Sequence, residues 1–273
     1  MTDQPIAGTP PAAAMSHRPA TGAKPLIVSG ETLPALSLTP EELDRQRIVG
    51  FNSRDRRARP YHLLRTQIGK IMARNDWRMI GITSATPAAG KTFTSVNIAA
   101  TLAATADSDV ILCDLDFRRG SIGEMLNYVP DHGLGDYLAG NIADPHDVAL
   151  RINDSKLVVL PTKPCAGSST ELLTTENFRT LMDRLHAMPA GAKMIFDLPP
   201  VFADDDAMIC MEYLDAYLMV IDHGITTARQ IEEGVRLLDP SPCVGTVLNR
   251  YKGGFADPYG YGYGDVYGMK RYN

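Results

Sequence analysis

The chain has little cysteine and little histidine, four and six residues out of 273. Cys113, Cys165, Cys210 and Cys243 are scattered without a Cys-x-x-Cys pair, which excludes a disulfide framework and predicts reduced thiols. The histidines are equally dispersed, so no zinc-ligand spacing can be built. Positive charge is not in excess: the formal net charge is -5, and nothing in the bulk electrostatics asks for nucleic acid as a partner. No run of about eighteen apolar residues occurs, and the first thirty positions carry no basic-then-apolar leader. The expectation is a cytoplasmic protein that reaches the inner face of a membrane only through a partner.

What is present divides into three stretches. Residues 1–38 hold six of the nineteen prolines with many Ala, Thr and Ser, a composition that reads as a disordered arm. Residues 39–250 read as one domain. TPEELDRQRIV starts a helix with Pro40 at its first position and acids in the first turn. PYHLLRTQIGKIMARN follows, with Leu64, Ile68, Ile71 and Met72 on one face. Then short apolar runs, 78–84, 109–116, 156–162, 193–200, 216–223 and 243–250, alternate with helical stretches. Near-continuous apolar strands separated by helices predict an α/β fold, a mostly parallel doubly wound sheet with helices on both faces, all six runs being buried strands. Strand order is not legible. Residues 251–273 form a Gly- and Tyr-rich end. Tyr259, Tyr261, Tyr263, Tyr267 and Tyr272 stand among glycines that give their rings nothing to pack on, which reads as a flexible tail presenting phenolic hydroxyls.

The chemistry begins where the strand at 78–84 runs into SATPAAGKT and a helix. Gly90-Lys91-Thr92 ends a phosphate-binding loop in the strand-loop-helix setting that gives the motif meaning, although Ala85 stands where the full P-loop pattern has glycine. Gly90 allows close backbone approach and helix N-terminal N–H groups face an anion. Lys91 can reach β- and γ-phosphates, and the Thr92 hydroxyl can hold Mg²⁺. VILCDLDFRRG places Asp114 and Asp116 two apart, so that on an extended segment both carboxylates point the same way. Hard oxygen ligands of this kind suit Mg²⁺. MIFDLPPV puts Asp197 at another strand end, as a direct or outer metal ligand would be. In this order after the loop, the three acids predict a Mg·nucleotide site of a P-loop NTPase or kinase.

TSATPAAGKT, Asp114-Leu115-Asp116-Phe117-Arg118 and Phe196-Asp197-Leu198-Pro199-Pro200, with Asp206-Ala207, ELL at 171–173 and VLNR at 247–250, resemble the bacterial tyrosine autokinases of capsule and exopolysaccharide synthesis over residues 43–250. The resemblance implies ATP-dependent phosphorylation of the tyrosine cluster at 259–272, usually between subunits of a homo-oligomer. It also implies a transmembrane polysaccharide co-polymerase, or chain-length regulator, as partner. By that likeness Thr86, Pro87, Ala88, Ala89, Gly90, Lys91, Thr92 and Phe93 would line ATP, and Asn249 would touch the adenine. Lys91, Thr92 and Asp116 would handle phosphates and Mg²⁺, and Asp197 would complete the metal shell. Asp114 would accept the tyrosine proton or help hold the metal, and Arg118 would supply charge to the transferring phosphate.

Three places depart from the family pattern. Arg59, His62 and Arg65 occupy slots where ring-forming members read Glu, Arg and Arg. Ala88 and Ala89 replace a Gly-Glu pair, and Ala88 would be strained if the loop needs positive φ there. The segment before ELL lacks the usual Pro-Asn. Two other readings share these features. A Min/Par-type positioning ATPase would carry a signature lysine where this chain has Thr86. A non-catalytic nucleotide-binding regulator of polysaccharide export would keep the loop but transfer no phosphate to the tail.

Overall fold

The computed structural model describes residues 20–165 and 167–251. The first half of the expected arm and the five tail tyrosines lie outside the described residues.

Among the described residues, eight strands form a single sheet: β1 (Ala35–Leu36), β2 (Met79–Ser84), β3 (Val110–Asp114), β4 (Leu150–Ile152), β5 (Leu157–Leu160), β6 (Lys193–Asp197), β7 (Ala216–Asp222) and β8 (Cys243–Asn249). Their spatial order is β1-β4-β5-β3-β6-β2-β7-β8, and every neighbouring pair is parallel except β4 with β5. The doubly wound expectation holds for a physical reason visible along β3. Successive side chains point to opposite faces, so Val110 and Leu112 join one core while Ile111 and Cys113 join the other. The first core receives Ile68 and Met72 of α2 (Arg59–Asn75) and Val96, Ile98 and Leu102 of α3 (Lys91–Ala103). The second receives Phe178, Leu181 and Leu185 of α7 (Glu176–His186) and Cys210 and Met211 of α8 (Asp206–Met211).

The remaining helices are α1 (Pro40–Arg45), α4 (Ser121–Met125), α5 (Leu134–Leu138), α6 (Ser169–Leu173), α7 (Glu176–His186), α8 (Asp206–Met211) and α9 (Ala228–Leu237). The start of α1 follows from its sequence: Thr39 accepts from the Glu42 N–H while Glu42 accepts from the Thr39 N–H, and Pro40 needs no donor in the first turn. Behind it, Asn97 of α3 accepts from the N–H groups of Val49 and Gly50 at 2.8 and 3.2 Å, tying the linker to the central helix.

Two expectations are corrected here. Residues 20–38 are not a disordered arm. Leu26, Ile27 and Leu33 are buried, the Leu26 N–H reaches the Arg184 carbonyl at 3.2 Å, Gly30 N–H reaches Asp109 at 2.9 Å, and β1 pairs with β4. Proline there keeps the backbone extended while the apolar residues between the prolines join the core that also receives α7. The run at 243–250 is a strand but not a buried one. As the edge beside β7 it leaves Cys243, Thr246 and Leu248 exposed. Both short strands β1 and β4 escaped the apolar pattern because two or three residues do not establish a period.

The four cysteines are free, and among the described residues no helix is long and apolar enough to cross a membrane.

Candidate nucleotide site

The parallel order brings the C-terminal ends of β2, β3 and β6 together at the middle of the sheet, where α/β folds bind ligands. All six residues of β2 are buried, so the strand delivers loop 85–90 rigidly to that end. Within the loop the Ser84 hydroxyl donates to the Thr86 carbonyl at 2.7 Å. Thr86, Pro87 and Ala88 form its outer rim and Ala89 is buried. Gly90 has φ +93° and Ala88 has φ +63°, so the strain expected at Ala88 is present. From the sheet edge, Asn249 at the end of β8 donates its Nδ2 to the Ala89 carbonyl at 2.8 Å and presses against Gly90.

The first turn of α3 is suited to an anion. Its N-cap, Gly90, offers no side chain, and no acid lies in the turn, so the first N–H groups keep their partial positive charge. Lys91 is 5% exposed, and its Nζ lies 3.5 Å from an oxygen of Asp116, itself 2% exposed. Thr92 donates to Asp197 Oδ2 at 2.6 Å. Ser95, one turn on, lies 3.0 Å from Asp197 Oδ1 and from the Lys91 carbonyl. Ser95 was not singled out by motif; its place three residues after Thr92, on the same helix face, was the available signal.

Asp114 and Asp116 do not present their carboxylates side by side. β3 ends at Asp114, the chain turns, and the Asp114 carboxylate accepts the N–H groups of Asp116 and Ile122 at 3.2 and 3.1 Å. Asp116 alone faces Lys91. In register across the sheet, Asp114 lies beside Asp197. Burial, reinforced by Asp197, pushes the Asp114 carboxyl well above the usual range. Burial also pushes Asp197 up to about 6, against the Lys91 charge and the Thr92 hydroxyl, which favour the ionised form. Arg118 is about half exposed, paired with Asp204, with its Nε 3.4 Å from Ser169 Oγ and 3.9 Å from Asp206. Asp206 is buried and accepts from Ser169 at 2.5 Å and Thr170 at 2.8 Å. Phe93 meets the Tyr61 ring edge-on at 6.2 Å.

These residues fit a Mg·nucleotide. Among the described residues no three His, Cys, Asp or Glu side chains form a metal cage, which is the usual situation for Mg²⁺, held by one or two protein oxygens together with substrate phosphate and water. The donors at hand are all hard oxygens, the Thr92 hydroxyl and the Asp116 and Asp197 carboxylates, with one buried cation among them.

A pH dependence follows for the metal-free protein. With the folded value of Asp197 near 6 against an ordinary 3.8, the folded state holds the proton more tightly than the unfolded chain. Its contribution therefore favours folding below about pH 4 and is lost as pH rises toward 6; Asp114 acts in the same direction. At pH 8 the Asp197 charge costs up to about 3 kcal/mol. In EDTA, Asp197→Asn is expected to melt several degrees above the parent at pH 8 and to lose part of the decline between pH 4.5 and 7. A decline of equal size in both proteins would refute the assignment.

The uncapped helix start, the loop and the strand-end acids mark an α/β domain of the P-loop NTPase fold. Comparison narrows the class. No protein-family model matches the chain. Tyrosine-protein kinase etk of Escherichia coli K12 is 29% identical over 200 residues, 72% of this chain and 27% of that protein. The putative tyrosine-protein kinase EpsB of Ralstonia nicotianae is 31% identical over 213 residues, 77% and 27%. In structure, the kinase domain of Escherichia coli tyrosine kinase ETK superimposes with a TM-score of 0.70 at 26% identity, over 84% of this chain and 93% of that domain. MinD of Pyrococcus horikoshii, solved with Mg-ADP, shares the fold alone, with a TM-score of 0.52 at 22% identity over 64% of this chain and 71% of that one. By sequence and fold the chain belongs with the bacterial tyrosine-kinase domains, and it spans about a quarter of the length of the curated relatives it matches.

Proposed function

We propose that the chain is an ATP-dependent protein-tyrosine autokinase whose acceptors are Tyr259, Tyr261, Tyr263, Tyr267 and Tyr272, serving exopolysaccharide or capsule export. The observation that carries this reading is the pairing of Lys91 with Asp116 and of Thr92 with Asp197 at the ends of three adjacent parallel strands. A nucleotide at residues 86–93 would place its phosphates over the first turn of α3. Lys91 would exchange its long contact with Asp116 for a phosphate oxygen, releasing Asp116 toward the metal. Thr92 and Asp197 would supply the other protein ligands, with Ser95 holding the second Asp197 oxygen. Mg²⁺ there would neutralise charge across the β- and γ-phosphates.

The tyrosine hydroxyl would bond to the γ-phosphorus as the bond to ADP breaks, its proton passing to the Asp116 oxygen that does not hold the metal. Asp114, whose oxygens are taken by two backbone N–H groups, acts by fixing Asp116. Arg118 must leave Asp204 to reach a phosphate. Asn249 serves the loop at Ala89 and Gly90 and lines the nucleotide from the sheet edge. A homo-oligomer with transfer between subunits, and recruitment to the inner membrane face by a transmembrane co-polymerase, complete the proposal.

The test is intact mass after incubation with Mg·ATP, with and without phosphatase. Stepwise single-phosphate additions mapping to residues 259–272 are expected. Measurable nucleotide binding with no added mass, even beside the cytoplasmic segment of the membrane partner, would instead favour the non-catalytic regulator, in which the Arg118–Asp204 pair never opens.

A further inference from the structure

Residues 53–65, SRDRRARPYHLLR, place Arg54, Arg56, Arg57, Arg59, His62 and Arg65 in one turn and the start of α2. Asp44 and Asp55 hold Arg57 at 2.5 and 2.7 Å. The side chains of Arg54 and Arg59, both exposed, and of Arg65, half-buried, make no hydrogen bond or ion pair with another described residue. The Tyr61–Phe93 contact sets this end of α2 against the residue that follows Thr92, at the rim of the nucleotide site. The C-terminal segment departs from the same rim, because Asn249 touches Ala89 and Gly90 and the described chain stops two residues later.

We propose that the arginines at the start of α2 are a docking surface for the phosphorylated form of segment 252–273; this rests on the autokinase reading. The argument is charge and reach. Unmodified, the segment carries Lys252, Lys270 and Arg271 against Asp257 and Asp265 and is repelled by the patch. Each phosphate adds about -1.5 to -2 charges at neutral pH, so a single one already reverses the sign and presents oxygens that guanidinium groups bind in a bidentate manner. Ten residues separate Asn249 from Tyr259, a mean reach of roughly 17 Å for a glycine-rich chain. Asp44 and Asp55 offset two of the five arginine charges, and the net excess that remains is below the roughly four to eight basic residues that hold a protein on anionic lipid. The phosphorylated segment is thereby held at the rim of its own chain's nucleotide site.

The test uses the full chain with all five tail tyrosines changed to phenylalanine and a fluorescent peptide of residues 252–273, synthesised with phosphotyrosine at 259, 261 and 263. The phosphopeptide is expected to bind at least about tenfold more tightly than the unmodified peptide, and more weakly as salt rises. Arg54→Glu with Arg59→Glu should erase that preference while leaving Mg·ATP affinity unchanged. Equal affinity for both peptides, indifference to the charge reversal, or displacement by Mg·ATP (which would assign the anion to the phosphate loop) overturns the proposal. So does retention on phosphatidylserine vesicles that the same variant loses while peptide binding stays. Because the peptide is phosphorylated chemically, a chain that fails to phosphorylate itself still gives an answer here, and the two ideas fail separately.

Discussion

Lys91→Met is expected to lose tail phosphorylation by at least about a hundredfold, the scale for removing a group that stabilises developing charge in a water-poor site. It is also expected to weaken the fold. Lys91 and Asp116 are a buried ion pair at 3.5 Å, and removing the cation leaves the Asp116 carboxylate buried without its counter-charge. Breaking such a pair costs about 3–5 kcal/mol, and the long contact argues for the lower end. The Lys91 charge also favours ionised Asp197, so the variant pushes that group further up. Activity and stability are separable by a second change. Lys91→Met with Asp116→Asn removes both charges at nearly constant volume, and it should recover most of the unfolding free energy in urea while remaining inactive. A double variant as unstable as the single one would mean the pair is not what holds this part of the fold. Phosphate appearing on the tail of Lys91→Met would remove Lys91 from the transfer step.

Much of the central sheet was legible because each of its strands is apolar on both faces and long enough to show it. Met79–Ser84 and Val110–Asp114 are buried throughout. The loop was legible for a different reason: Gly90-Lys91-Thr92 is a local pattern whose meaning depends only on the strand before it and the helix after it. What failed to show was set by contacts distant in sequence. Leu26 and Ile27 lie in a proline-rich stretch, and the groups that receive their N–H donors, the Arg184 carbonyl and the Met188 sulfur, lie more than 150 residues on. The exposure of Leu248 follows from strand order, which hydrophobicity does not encode. Asp114 and Asp116 looked like a matched pair because alternation was extended two residues too far. The turn after Asp114, closed by the Asp116 and Ile122 N–H groups, is a tertiary feature of the strand end. Arg118 was read for its motif, yet the acid that holds it, Asp204, is 86 residues away.

Gly90→Ala is expected to weaken Mg·nucleotide binding by about ten- to a hundredfold, two effects acting together. At φ +93° a β-carbon is strained by about 1–2 kcal/mol. That carbon would also drive into the Asn249 amide, which donates to the Ala89 carbonyl; losing this bond is worth about 1 kcal/mol. Their sum corresponds to roughly two decades in affinity if the loop, rather than the whole domain, absorbs the strain. Asn249→Ala separates the contributions, since it deletes the hydrogen bond but opens the space. If the collision dominates, Gly90→Ala combined with Asn249→Ala binds nucleotide more tightly than Gly90→Ala alone, a coupling of opposite sign to the single effects. If backbone strain dominates, the two losses add. Isothermal titration with a non-hydrolysable ATP analogue on the four proteins reads that sign directly. A Gly90→Ala protein with parental affinity would show that the left-handed turn at 90 is incidental to phosphate binding, and the nucleotide site would then have to be sought away from the start of α3.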